Sequence, residues 1–92
     1  MRYTWDPAKD ALNQRKHGLS LADGIDALDD PEQDSWVDDR FDYGEVRIST
    51  LGMSRNRVLF VVSTERDENW IRIISVRKAE KHEIRQYDLG RA

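Results

Sequence analysis

Between residues 45 and 77 the hydrophobic period of the chain is two, and this fixes most of what the chain can fold into. Glu45-Val46-Arg47-Ile48-Ser49-Thr50-Leu51 alternates polar and apolar residues, as a strand with one buried face does. Val58-Leu59-Phe60-Val61-Val62 is an unbroken apolar run, suited to a central strand covered on both faces. Trp70 to Arg77 then supplies a third strand-like segment. Gly52 to Asn56 reads as the first hairpin turn and Glu65 to Asn69 as the second. Three consecutive strands joined by short turns form an antiparallel meander, and its apolar faces need helices to cover them.

The flanking segments supply those helices. Residues 1–5 read as a short edge strand. Asp6-Pro7 is a helix start, with a carboxylate at the N-cap and proline at the first helical position. That helix is expected to reach His17 and stop at Gly18, with Ala8, Ala11, Leu12 and Arg15 on its inner side. Ser20 opens a second helix, where Asp23 stands in for the usual capping-box glutamate and Leu21, Ile25 and Leu28 have helical spacing. Pro31 ends it. Asp29 to Gly44 reads as a turn-rich acidic connection containing Trp36 and Phe41. Lys78 to about Asp88 reads as a last helix. The expected order is β-α-α-β-β-β-α, an α+β class, with residues 1–92 forming one domain.

Composition narrows the function. With no cysteine, disulfides and thiolate metal sites are excluded, and with only two histidines a zinc site would have to lean on carboxylates. No apolar signal core or membrane-length run is present, so a reducing cytoplasm is the expected compartment. The net charge of −3 is unevenly spread. Residues 29–45 carry eight acidic groups and one basic one, whereas residues 46–92 carry ten basic and six acidic. An acidic connection therefore masks a basic C-terminal half, and it is local potential that governs phosphate affinity.

Phosphate-loop and nucleophile-elbow motifs are absent. What remains is Lys16 and His17 at a helix end, with Glu45, Arg47, Arg72, Arg77 and Lys78 on or beside strands. Cleaving RNA without metal requires a base for the 2′-OH, an acid for the departing 5′ oxygen, and cations for the developing charge. His17 suits either proton role and Glu45 is the other candidate base. Arg47, Arg72 and Arg77 carry planar forks that match phosphate. Strand parity puts Arg72 and Arg77 on opposite faces unless a bulge intervenes. Each residue also has a plainer reading. Lys16 and His17 suit a helix C-terminus anyway. Glu45 and Arg47 suit a solvated strand face, and Arg72 a surface ion pair. Tyr87 suits a packing anchor, Trp5 the core and His82 the solvent. The acidic connection suits either solvation or docking of a basic partner segment.

Taken together the segments resemble the BrnT family, the toxin half of a bacterial toxin–antitoxin pair. The resemblance rests on Trp5-Asp6-Pro7 with Lys9, Asn13 and Lys16-His17-Gly18, then Asp30-Pro31, Glu45, Arg47 and Gly52. It closes on Arg72-Ile73-Ile74-Ser75-Val76-Arg77-Lys78-Ala79, Glu83 and Tyr87. It implies a RelE-like antiparallel sheet with flanking helices, metal-independent ribonuclease activity that arrests growth, and no cofactor. It also implies a BrnA-like ribbon-helix-helix antitoxin, operator DNA bound only through that antitoxin, no membrane contact, and a dimer of toxin–antitoxin heterodimers. Residue by residue, its polar signature falls on Lys16, His17, Glu45, Arg47, Arg72, Arg77 and Tyr87. The roles are our own reading: catalysis on His17, Glu45, Arg47, Arg72 and Arg77 and RNA contact on Lys16, Lys78 and Tyr87, with no metal ligand. Relative to similar sequences, Leu21 and Leu28 replace Phe, Gly24 replaces a mid-helix Ala, and Val76 replaces Ala. The alternative reading is a non-catalytic module that only binds its partner within a DNA-binding repressor complex.

Overall fold

The structure, a computed structural model, describes residues 1–39 and 44–91. Arg40, Phe41 and Asp42 of the acidic connection lie outside the described residues. The chain runs β1 (Arg2–Thr4), α1 (Pro7–His17), a 3-10 turn (Leu21–Asp23) leading into α2 (Gly24–Asp29), β2 (Asp34–Asp38), β3 (Arg47–Ser54), β4 (Arg57–Asp67), β5 (Trp70–Lys78) and α3 (Lys81–Arg91). The α+β class and the β3-β4-β5 meander are those expected. The acidic connection, however, contains a strand, β2, which pairs antiparallel with β3 from Asp34↔Leu51 to Asp38↔Arg47. Its acidic ends obscured the Ser35-Trp36-Val37 centre. β1 adds parallel to β5, so the five-stranded sheet is mixed, in the order β1-β5-β4-β3-β2.

Both hairpins are tighter than the turn residues suggested. Gly52 lies inside β3, and the first turn is only Arg55-Asn56, closed by the Ser54↔Arg57 pair. Gly52 is there because α2 rests directly on it: a Cβ would sit 2.2 Å from the Ala27 carbonyl oxygen. The turn takes its positive φ, 58°, at Arg55 instead of at a glycine.

Two apolar clusters sandwich the sheet. On one face Leu59, Val61, Ile73 and Val76 pack against Leu19, Leu21 and Ala27, with Trp5, read as core, partly buried at the margin. On the other, Leu51, Val58 and Phe60 pack against Tyr87 of α3. Gly24 and Val76 meet inside the first cluster, where a Cβ on Gly24 would lie 2.8 Å from a Val76 methyl. The two departures noted in the sequence therefore compensate one another, the larger side chain on the strand being matched by the smaller one on the helix.

α1 is held differently from what its pattern suggested. Ala8, Ala11, Leu12 and Arg15 are all exposed, and the helix buries only Asn13. The reason lies in β1, which is three residues long and leaves β5 unpaired beyond Arg72. The Asn13 side chain completes that edge. Its Nδ2 donates to the Val76 carbonyl at 2.9 Å and to the Leu19 carbonyl at 2.7 Å, while the Val76 N–H donates to its Oδ1 at 3.1 Å. A carboxamide has one acceptor and two donors, and here it takes the place of a neighbouring strand's peptide. Asp6 caps the start of α1 by accepting from the Ala8 N–H, and Gly18 ends it with φ 70°.

Two stability changes follow. Asn13→Leu, alike in branching at Cγ, strands three buried backbone groups and should cost about 3 kcal/mol in urea unfolding; a loss under 1 kcal/mol would show that water replaces the amide. Arg55→Gly relieves the left-handed strain and should gain roughly 0.5–1 kcal/mol in the same assay.

Candidate active site

The β4–β5 ladder decides where the arginines point. Val62 pairs with Ser75 and the next residue, Ser63, pairs with Ile73, so Ile74 is an extra residue in β5. Five positions apart on an unbroken strand, Arg72 and Arg77 would face opposite ways. The bulge reverses the parity: Arg72 pairs with Thr64 and Arg77 with Phe60, two residues on the same side of β4. Arg47, one step beyond the Ile48↔Ser63 pair, points to that side as well. Arg47, Thr64 and Arg72 thus form a row across three strands, with the arginine Cα atoms about 10 Å apart. Arg77 stands about 13 Å further along β5. The three arginine side chains are between a fifth and a third exposed, so their stems lie on the sheet and their guanidinium groups reach solvent.

Each arginine has a local partner. Arg47 Nε is 3.5 Å from Glu45 Oε1, and Glu45 also lies 4.0 Å from Arg66. Glu45 sits in the bend just before β3 rather than within the strand. Arg72 makes a loose pair with the α1 cap, 3.9 Å from Asp6 Oδ2. Arg77 is the most fixed: its two terminal nitrogens grip Glu83 at 2.8 and 2.9 Å, and its guanidinium lies 4.1 Å above the Phe60 ring. Trp36 meets the same ring edge-on at 6.0 Å.

His17 lies across the free edge of β5, half-buried in a cleft with Lys9, Leu12, Lys16, Ile74 and Ser75. Ser75 is on β5 between Arg72 and Arg77 and shares their face, so the cleft opens beside the arginines. Lys16 is exposed on its rim, and Lys78 is exposed at the end of β5. Tyr87 is corrected from an RNA contact to a core anchor, being 2% exposed with its hydroxyl donated to Asp30. His82 is exposed beside Glu80, as read. Among the described residues no group of three or more His, Asp or Glu side chains is placed to hold a metal ion.

Two residues central to the site had no role assigned from sequence. Glu83, 7% exposed, grips Arg77 and also accepts from the Glu80 N–H at 2.8 Å, capping α3 from within. Asp30 joins three elements: one oxygen accepts from the Met53 N–H of β3 at 2.8 Å and from Tyr87 of α3, and the other from the Glu32 N–H just after α2. An acid at the N3 position of a helix was the one available signal for Glu83. Asp30 stood out only as part of the Asp30-Pro31 match, because Met53 and Tyr87, the partners that make it a tie between elements, lie far along the chain.

Comparison with known proteins places the chain. The family profile described as the ribonuclease toxin, BrnT, of type II toxin–antitoxin systems matches residues 5–83. The chain belongs to the BrnT family of ribonuclease toxins. Among solved structures it is similar to the crystal structure of the Brucella abortus ribonuclease toxin BrnT, with a TM-score of 0.65 and 24% identity over 88% of this chain and 99% of that one. No curated protein matches at significance. This BrnT protein is therefore an endoribonuclease toxin of a type II pair, and the matched span includes every arginine of the row and Glu83. Among its described residues no helix is long and apolar enough to cross a membrane.

The Arg77–Glu83 pair makes a pH-dependent contribution. Burial alone would raise the Glu83 carboxyl. The Arg77 hydrogen bonds, the Glu80 N–H and the charges of Arg77 and His82 outweigh burial and hold the group below its ordinary value. A carboxyl lowered in the folded state stabilises fully above its unfolded pKa, near 4.3, and that stability is lost as pH falls through the folded value. Glu83→Gln should therefore be about 1–2 kcal/mol less stable at pH 7, with a shallower loss of stability on acidification below pH 4. Parallel stability–pH curves for the two proteins would rule the coupling out.

Proposed function

We propose that this toxin cuts RNA without a metal ion, by attack of a 2′-OH on the adjacent phosphate, on the sheet face that carries Arg47, Arg72 and Arg77. The observation that carries the reading is the β5 bulge at Ile74, which turns Arg72 and Arg77 to the side of Arg47. Of the three guanidinium groups on this face, the loosely paired Arg47 and Arg72, 3.5 and 3.9 Å from Glu45 and Asp6, are the ones that can turn to the extra charge of a pentacoordinate phosphorus, while Arg77 is held by Glu83. Because β3 and β5 flank β4, Glu45 lies at one end of the row and His17 beyond the other. In-line displacement needs a proton acceptor and a proton donor within hydrogen-bond reach of the 2′ and 5′ oxygens of one phosphorus. Glu45 and His17 are the candidates, and since the row alone separates its arginine Cα atoms by about 10 Å, both side chains must reach inward over the row to meet there. One removes the 2′-OH proton as the oxygen–phosphorus bond forms. The other protonates the 5′ oxygen as its bond to phosphorus breaks. The products are a 2′,3′-cyclic phosphate and a 5′-OH. DNA has no 2′-OH and is not a substrate. Lys16 and Lys78 extend the positive surface along the RNA backbone.

The antitoxin in this reading is a BrnA-like ribbon-helix-helix protein. Operator DNA is bound only through it, the complex is a dimer of toxin–antitoxin heterodimers, and the setting is the cytoplasm. Membership of a type II toxin family supports a protein antitoxin as such.

RNA incubated with the purified toxin in the presence of a chelator should be cut to ends bearing 2′,3′-cyclic phosphate. His17→Ala and Arg72→Ala should each lower kcat by about 10²-fold or more with unchanged thermal unfolding. Cleavage that stops on chelation, or single variants as fast as the parent, would sink the mechanism.

A further inference from the structure

The cleft between α1 and β5 has features that phosphate chemistry alone does not use. It measures about 380 Å³, within the roughly 300–1,000 Å³ typical of small-ligand sites. Leu12 forms one wall. It is 58% exposed, the only large apolar residue on the outer side of an otherwise polar helix. Ile74 forms the other wall, carried outward as the extra residue of the bulge. Lys9 and Lys16, one helical turn to either side of Leu12, stand on the rim with His17, and among the described residues no carboxylate lines the cleft. The nearest acid of the helix, Asp10, is turned away to accept from the Leu21 N–H at 2.7 Å. Asn13, at the base, has its amide committed to Val76 and Leu19. Two apolar walls with cations at the mouth match a flat nucleobase with phosphates on either side. The position matches too, since Ser75 joins the cleft to the strand between Arg72 and Arg77.

We propose that this cleft is a nucleobase subsite: Leu12 and Ile74 sandwich a base of the RNA next to the scissile phosphate, and Lys9 and Lys16 hold the phosphates flanking that base. The proposal rests on the cleavage reading above and gives the Ile74 bulge a second role. The same extra residue that aligns the arginines also builds the pocket that sets the register of the strand against them.

The test separates base from backbone and binding from cleavage. The probe is a fluorescein-labelled 2′-O-methyl RNA dodecamer, which has no free 2′-OH to react, titrated by anisotropy against the full-length toxin at several salt concentrations. Because Leu12 and Lys9 are exposed, Leu12→Ala, Leu12→Glu and Lys9→Ala leave the core untouched. Leu12→Ala should weaken binding severalfold and Leu12→Glu at least tenfold. Lys9→Ala should reduce the slope of log affinity against log salt by about 0.7. On the same dodecamer carrying abasic sites, parent and Leu12→Ala should bind alike. Equal affinity of parent and Leu12→Ala for the intact probe overturns the subsite, as does a difference that persists on the abasic probe. So does a Leu12→Glu protein that binds RNA normally but no longer binds its antitoxin, which would make the cleft a protein contact. Base-dependent binding by a toxin that never cleaves RNA would instead remove the cleavage reading and leave the subsite in place.

Discussion

The structure depends on how the outer edge of β5 is closed. β1 covers only its first residues, through the Arg2↔Trp70 to Thr4↔Arg72 pairs. Beyond them, Val76 would present a bare N–H and C=O in the middle of the core. One side chain, Asn13, meets both and also ties down the Leu19 carbonyl at the entry to the next element. A buried amide in this position is satisfied only when helix, strand and connection are all in place, so it fixes α1 in rotation and in height. It also explains how a helix with almost no apolar inner face can belong to the core at all. With its backbone groups met by Asn13, β5 has no need of a longer β1, and its edge stays free to carry the bulge at Ile74. The bulge sets the direction of every side chain that follows.

The opposite face of the sheet is organised by carboxylates. Glu83 holds Arg77 over Phe60 and caps α3, while Asp30 ties α3 to β3 through Tyr87 and Met53. Because α3 covers only one end of this face, it leaves the row of Arg47, Thr64 and Arg72 uncovered by helix. Paired arginines lose less freedom when they meet a phosphate than free ones would, since their stems are already fixed. Positioning of the Arg77 guanidinium and docking of the last helix are therefore a single structural event. The acids of the first half of the chain, which made the net charge misleading, are partly accounted for by these ties.

Much of this was legible in the residues. The switch to a two-residue period at Glu45 located the meander, Asp6-Pro7 and Gly18 bounded α1, and the segments from Trp5 to Tyr87 pointed to the BrnT family. The misreadings share a cause. β2 was hidden because its buried and exposed positions are flanked by aspartates, and a five-residue edge strand has too few alternations to show a period. Gly52 was read as a turn residue because glycine marks turns and close approaches equally well, and only the Ala27 carbonyl above it shows which applies. Ala8, Ala11, Leu12 and Arg15 were assigned inward on a pattern the helix does not use, since its one buried contact is polar.

By itself, then, the sequence determined the class of fold, the bounds of most elements and the set of charged groups available, because these follow from local periodicity, caps and composition. Only the tertiary structure decided which groups share a face. Whether Arg72 faces the same way as Arg77 turns on one unpaired residue in a ladder formed with another strand. Whether Tyr87 meets RNA or the core turns on an aspartate 57 positions away. Register and long-range pairing are properties of two segments at once, and neither segment carries the answer alone.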